Sequence, residues 1–163
     1  MINESFLSIG TNLGNKVKNI EDVVSFLKIV DINVKKISSI YESEPIGYVH
    51  QPYFYNIVMH ISTSMNINNL FNALKLIEQK MGRNFTSPKN HPRIIDIDIL
   101  TFQNIILHND KICIPHPELH KRKFVLCPWY EISKQFIVPG YNKDVSTLLN
   151  NVKDSSKICK LNI

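Results

Sequence analysis

Apolar and polar residues alternate along this chain with two different periods, and the switches between them mark out its elements. Phe6 to Ile9 is a short apolar run with the look of a buried strand, and it stops at the turn-rich Gly10-Thr11-Asn12-Leu13-Gly14-Asn15. Ile20, Val23, Val24 and Leu27 then recur at helical spacing, which predicts a helix over 16–29. Asn33 to Ser43 is polar, but Val34, Ile37 and Ile40 give it the β-branched character of an edge strand. Glu44 to Pro52 breaks regular structure twice with proline, and Phe54 to Thr63 is the next strand. A second helix has Asn68 as its expected cap, Leu70, Phe71, Leu74, Ile77 and Met81 as its apolar stripe, and Gly82 as its stop. Asn84 to Pro92 is a polar loop, and Ile94 to Phe102 is the clearest strand, with Ile105 to His108 expected to pair with it as a hairpin. After Pro115 and Pro117, Phe124 to Ile132 and Val145 to Leu149 read as helical pieces.

The order is β-α-β-β-α-β followed by a C-terminal extension. It predicts an α+β fold, a ferredoxin-like βαββαβ sandwich with an antiparallel sheet and helices packed on one face of it. The other face and the long loops would be free to build a site. No repeat, linker or low-complexity block divides residues 1–163, so a single domain is expected.

Composition narrows the class. No apolar run approaches the ~18 residues of a membrane span, and the first residues lack a basic and an apolar segment of the secretory type. Cys113, Cys127 and Cys159 are odd in number and form no C-x-x-C pair, which speaks for reduced thiols and a cytoplasmic setting. The net charge of +5 favours anionic partners. Of the 19 basic residues only Arg83, Arg93 and Arg122 are arginine. In so lysine-rich a chain, a retained arginine points to a planar fork on a phosphate or carboxylate, or to a structural ion pair.

The neighbours of these arginines sharpen the choice. In Arg93-Ile94-Ile95-Asp96-Ile97-Asp98-Ile99-Leu100, strand alternation puts Asp96 and Asp98 on one face, roughly 7 Å apart, with Ile95, Ile97 and Ile99 on the other. Two carboxylates so close need a compensating cation, and Mg²⁺ takes such oxygens together with phosphate. The alternative is a solvent-facing polar edge. Arg83 and Lys89 flank the dyad from the polar loop, as a nucleotide's phosphate chain would require. His116, Arg122 and Phe124 form a second group, with Lys111 just upstream; a basic helix N-terminus would explain them equally. A third group runs from Tyr41 to Asn56, where an asparagine amide can read a heterocycle edge and Phe54, on the same strand face, can stack on the ring; an aromatic strand in the core, with Asn56 capping a turn, is the alternative. No G-x-x-x-x-G-K-[ST] and no G-x-G-x-x-G occurs, so ATP would not be held by a P-loop.

Taken together, these segments resemble the hydroxymethyldihydropterin pyrophosphokinase family over Ser8 to Ile132. The similar stretches are Ser8-Ile9-Gly10-Thr11-Asn12-Leu13-Gly14, then Tyr41-Glu42-Ser43-Glu44-Pro45-Ile46-Gly47 with Gln51-Pro52 and Phe54-Tyr55-Asn56. Pro92 to Leu100 and Pro115-His116-Pro117 with Arg122 and Phe124-Val125-Leu126 complete the set. The resemblance implies a transferase of folate biosynthesis that moves the diphosphate of ATP onto 6-hydroxymethyl-7,8-dihydropterin and expels AMP. It implies that Asp96 and Asp98 hold two Mg²⁺ ions. It implies that Arg93, His116 and Arg122 contact the phosphates, that Arg83 closes over them, and that Glu78, Lys89 and Lys111 lie near the nucleotide. Phe54 and Phe124 would sandwich the pterin, while Ser43, Pro45, Ile46 and Asn56 would meet its polar edge. The expected partners are ATP and the dihydropterin alcohol, with no nucleic acid and no membrane, for a monomer whose fusion to other folate enzymes is left open.

This chain departs from the family pattern at Phe85, where a further arginine is frequent, and at Lys89-Asn90-His91, where Arg-Trp-Gly is frequent. No clear general base stands out; a metal-polarised hydroxyl or His116 would each serve. The rival readings are an RNA-binding module of similar fold, which leaves the two aspartates unexplained and lacks the expected motif, and a catalytically inactive relative.

Overall fold

The computed structural model describes residues 1–88 and 90–163. In chain order the elements are β1 (Asn3–Thr11), α1 (Lys16–Ile29), β2 (Asn33–Ile37), β3 (Tyr41–Ser43), β4 (Phe54–Thr63), α2 (Ile67–Lys80) and β5 (Asp96–Phe102). There follow β6 (Leu107–His108), β7 (Cys113–Ile114), a 3-10 turn (Leu119–Lys121), α3 (Lys123–Ser133), β8 (Ile137–Val138), β9 (Lys143–Asp144), α4 (Val145–Asn151) and β10 (Ile158–Lys160). The main sheet runs β10-β3-β4-β1-β5, with β2 on the same edge of β4 as β3, and all its pairings are antiparallel. No helix among the described residues is long and apolar enough to cross a membrane.

Local chemistry explains where the elements differ from the expected ones. The edge strand expected over Asn33 to Ser43 is two strands, because Ser38 turns its hydroxyl into the ladder: Oγ accepts from Val58 N at 3.0 Å and donates to Ser39 O. The cap of α2 is Asn66, not Asn68; Asn66 Oδ1 accepts from Asn69 N at 2.9 Å. The hairpin of residues 105–108 pairs with β7 and not with β5, closed by Asn109 Oδ1, which accepts from Lys111 N and Ile112 N.

The largest difference concerns the faces of the sheet. One face carries Leu7, Ile9, Ile57, Met59, Ile61, Ile95, Ile97 and Ile99, and packs on α1 and α2 through Ile20, Val23, Leu27, Leu70, Leu74 and Ile77. The other face is not free, as the sequence pattern suggested. Phe6, Val58 and Leu100 meet Leu119, Val125, Leu126, Trp129, Val138, Val145 and Leu148 in a second core. Each such side chain contributes roughly 1.5–3 kcal/mol when enclosed, enough to fix α3 and α4 against the sheet. Further along the same strands that face turns polar, with Ser8 and Gly10 on β1, Asn56 on β4, and Asp96 and Asp98 on β5. This end opens into cavities.

Candidate active site

The open end is floored by three adjacent strands in a fixed register: Ser8 pairs with Asp98, and Gly10 pairs with both Asp96 and Asn56. Side-chain alternation therefore sends Asp96, Asp98, Asn56 and Phe54 to one surface. A Cβ on Gly10 would stand 3.4 Å from Asn56 Oδ1 and 3.9 Å from the Phe54 ring, filling the floor of the cavity.

The aspartates share a face but not an environment. Asp96 accepts from Arg93 Nη1 at 2.7 Å through one oxygen and from Arg83 through the other. Burial alone would push its carboxyl up, but Arg83 and Arg93 outweigh that and hold it below the usual carboxylate range. Asp98 has looser company: His116 Nε2 at 3.7 Å and Arg122 Nη1 at 3.9 Å. Burial, and then the negative charge of Asp96, push the Asp98 carboxyl up. His116 is pushed down, first by burial and then by Arg122, with Asp98 opposing. Its Nδ1 accepts from Glu118 N at 3.1 Å, so the neutral ring carries its proton on Nε2, facing Asp98.

Behind the dyad, Glu78 is fully enclosed. Its carboxylate accepts from Arg83, from Lys75 Nζ at 2.8 Å and from Ile97 N at 2.6 Å. Burial drives its carboxyl up against the pull of Lys75 and Arg83. Arg83 therefore stands between two carboxylates, which outweigh its own burial and keep it charged.

Two cavities meet at these residues. One, of about 120 Å³, is lined by Ser43, Glu44, Ile46, Phe54, Asn56 and Phe124 and reaches Asp96, Asp98, Arg93 and Arg122. Asn56 Nδ2 donates to Ser43 Oγ at 2.9 Å and to Tyr41 O at 3.2 Å, which leaves Oδ1 to accept from a ligand. The other, of about 550 Å³, is lined by Arg83, Asn84, His91, Arg93, His116 and Arg122, and its wall contains the same two aspartates. A third, of about 220 Å³, adjoins Asp98 and His116; its lining includes the apolar Phe71, Leu74, Ile97, Ile99 and Ile112 together with Lys75 and Lys111.

The expected residues distribute as follows. Ser43, Ile46, Phe54, Asn56 and Phe124 line the small cavity; Arg93, Asp96, Asp98 and Arg122 line both; Arg83 and His116 line the large one. Lys111 lies in the third. Glu78, expected near the nucleotide, is fully enclosed, with its carboxylate bonded to Arg83, Lys75 and the Ile97 amide. Pro45 is not among the residues that line the small cavity, whereas Glu44 and Ile46 on either side are. Arg83, expected to close over the phosphates, is paired with Asp96. The expectation for Lys89 lies outside the described residues.

Sequence reasoning missed Asn12. Its Oδ1 accepts from Arg93 N at 2.8 Å, while its Nδ2 donates to Gln51 Oε1 and to Pro52 O, both at 2.9 Å. Gln51 Nε2 in turn donates to Asn90 O at 2.7 Å, and Tyr48 stacks on His91 with ring centroids 5.0 Å apart. The two loops flanking the small cavity are thus tied together. The asparagine in the first glycine-rich turn was the one available signal.

The fold and site define an α+β protein that brings a carboxylate pair and phosphate-type arginines to the mouth of a ring-sized pocket. The profile of the 7,8-dihydro-6-hydroxymethylpterin-pyrophosphokinase (HPPK) family matches residues 6–134, and the chain belongs to that family. A 2-amino-4-hydroxy-6-hydroxymethyldihydropteridine pyrophosphokinase of Bacillus subtilis is 35% identical over 136 residues, covering 83% of this chain and 81% of its own. The Haemophilus influenzae protein of the same name is 30% identical over 159 residues, covering 97% and 98%. The folic acid synthesis protein fol1 of Pneumocystis carinii is 36% identical over 91% of this chain, which spans only 20% of that longer protein. A crystal structure of Plasmodium falciparum HPPK-DHPS shares the fold, with a TM-score of 0.75 at 17% identity, over 92% of this chain and 45% of that one.

Proposed function

We propose that this chain transfers the diphosphate of ATP to the hydroxymethyl oxygen of 6-hydroxymethyl-7,8-dihydropterin, releasing AMP. The observation that carries the reading is the junction of the two cavities at Asp96 and Asp98. A flat heterocycle in the small cavity would rest between Phe54 and Phe124, with Asn56 Oδ1 and Ser43 Oγ at its polar edge. Its alcohol would then face the dyad. The large cavity suits a triphosphate, with Arg93, Arg122, Arg83 and the proton on His116 Nε2 as its donors. The apolar walls of the third cavity suit a base, with Lys111 at its rim.

Asp96 and Asp98 fit a divalent cation by donor chemistry. Among the described residues no group of three or more His, Cys, Asp or Glu side chains could hold a metal unaided. Mg²⁺ is ordinarily held by one or two carboxylates plus phosphate oxygens, and two ions shared with ATP match this donor set. A cation held there supplies charge neutralisation to the phosphates and polarises the attacked phosphorus. Arg83 and Arg93, now on Asp96, are placed to transfer to the phosphates, so the buried charges stay balanced while the Glu78 carbonyl, accepting from Arg83 N at 3.0 Å, and Asn12 Oδ1, accepting from Arg93 N, keep their backbones fixed. The donor role of His116 Nε2 speaks against this histidine as general base. The strand order β2-β4-β1-β5, with α1 and α2 on one face, supports the ferredoxin-like description, and β8, β9, α4 and β10 read as its C-terminal extension. A cytoplasmic monomer, alone or joined to other folate enzymes, is consistent with that reading.

The test is product analysis with ATP, Mg²⁺ and the dihydropterin alcohol. AMP should form in step with consumption of the alcohol. ADP as product, or AMP formed equally without the alcohol, would overturn the reading.

A further inference from the structure

Strand β3 holds the wall of the small cavity, yet it is three residues long and cannot hold itself in place. On one side it pairs with β4, Tyr41 to Asn56 and Ser43 to Phe54. On its other side lies β10, with Ile158 opposite Ser43, Cys159 opposite Glu42 and Lys160 opposite Tyr41. The pairing extends beyond the strand at both ends. Leu161 N donates to Ile40 O at 2.8 Å; Glu44 N donates to Lys157 O at 3.3 Å. The Glu44 side chain completes a reciprocal clasp, its Oε2 accepting from Lys157 N at 3.0 Å. Lys160 Nζ reaches Glu131 at 3.4 Å, and the same carboxylate accepts from Ser39 and from the Tyr41 hydroxyl. The segment 157–161 thus brackets residues 40–44, which carry Ser43 and Glu44 to the cavity. It lies beyond the residues the family profile matches.

We propose that β10 is a positioning element for the pterin cavity and that Glu44, through its bond to Lys157 N, is a positioning residue that sets affinity for the pterin without affecting the nucleotide. Glu44 borders the cavity, but Oε2 is engaged by the Lys157 amide and Oε1 lies 3.5 Å from the Tyr53 hydroxyl. Its role follows from where it holds the backbone entering Pro45 and Ile46, and through that the Ser43 hydroxyl on which Asn56 Nδ2 is anchored. Among the described residues, none that lines the large cavity is hydrogen-bonded to Glu44 or to 157–161, so a selective effect is expected.

The inference rests on the pterin reading of the small cavity, and one set of titrations separates the two. The dihydropterin alcohol is titrated into protein saturated with Mg²⁺ and α,β-methylene-ATP, and the analogue is titrated separately. If the native chain binds no pterin, the functional reading fails. If it binds, Glu44→Ala should weaken pterin binding about fivefold, the worth of one hydrogen bond, and leave analogue binding within about twofold. Glu44→Gln retains an acceptor for Lys157 N and should restore the pterin affinity. Lys157→Pro removes the donor instead and should reproduce the Glu44→Ala pattern, which keeps the test valid if Glu44→Ala does not fold. Native pterin affinity in Lys157→Pro or Glu44→Ala, equal losses for both ligands, or failure of Glu44→Gln to restore binding would each overturn the proposal.

Discussion

Strands β1, β4 and β5 carry two neighbouring regions on one face of the sheet with opposite fates. At one end Phe6, Val58 and Leu100 are sealed beneath Trp129 and the rest of α3 and α4. At the other end, two to four residues along the same strands, Ser8, Gly10, Asn56, Asp96 and Asp98 line the small cavity, and the two aspartates border the large one as well. The same strands run through both ends, with a register shift between Phe6 and Leu7 at the covered one, and the side chains they present differ. Apolar residues recruit a cover because enclosing them stabilises the fold. Carboxylates refuse one, because an ionised group is costly to enclose without a partner. The site is the part of the face that the core could not use.

This comparison can be broken in several ways, the largest effect first. Asp98→Ala removes a group whose only role in this account is chemical, and the rate of AMP release should fall by roughly a hundred- to a thousandfold or more. Circular dichroism should meanwhile show an intact fold. At the covered end, Trp129→Ala should cost about 3–5 kcal/mol in denaturant unfolding, with surviving folded protein keeping its Michaelis constants. Asn56→Ala, between the two ends, should raise the Michaelis constant for the pterin on the order of tenfold and leave that for ATP unchanged.

The smallest effect concerns stability and pH. Because burial and Asp96 raise the Asp98 carboxyl, the folded state prefers it protonated, and its ionised form costs stability once pH rises through that raised value. Asp98→Asn should therefore unfold at a higher temperature than the native chain at pH 7. The gap should close as pH falls, and vanish below about pH 3, where the carboxyl is protonated in both states. Asp96→Asn should do the reverse. Its carboxyl is held low by Arg83 and Arg93, so it contributes stability above about pH 4 that the variant lacks. Melting curves across pH would show either pattern.

How much of this the sequence disclosed follows from the range of the interactions involved. The bounds of α1 and β4 agree with the periodicity, since an apolar stripe or alternation is a local signal. The shared face of Asp96 and Asp98 was legible for the same reason. The division of β2 from β3 was not, because it turns on one serine hydroxyl meeting the Val58 amide of another strand. The covering of the second face was hidden too: short helices late in the chain do not announce which surface they will seal. Nor could spacing reveal that Glu78 is enclosed or that Arg83 rests between it and Asp96, a pairing made across the loop after α2. The residue types at the site were visible; the partners they keep were not.

The claim on which the rest stands is that Asp96 and Asp98 hold a divalent cation against a nucleotide's phosphates. Mn²⁺, visible by electron paramagnetic resonance, can be titrated into the protein saturated with α,β-methylene-ATP. The account predicts protein-dependent Mn²⁺ binding that is lost in Asp96→Ala and in Asp98→Ala. Undiminished binding in either variant, at equal nucleotide occupancy, would contradict it.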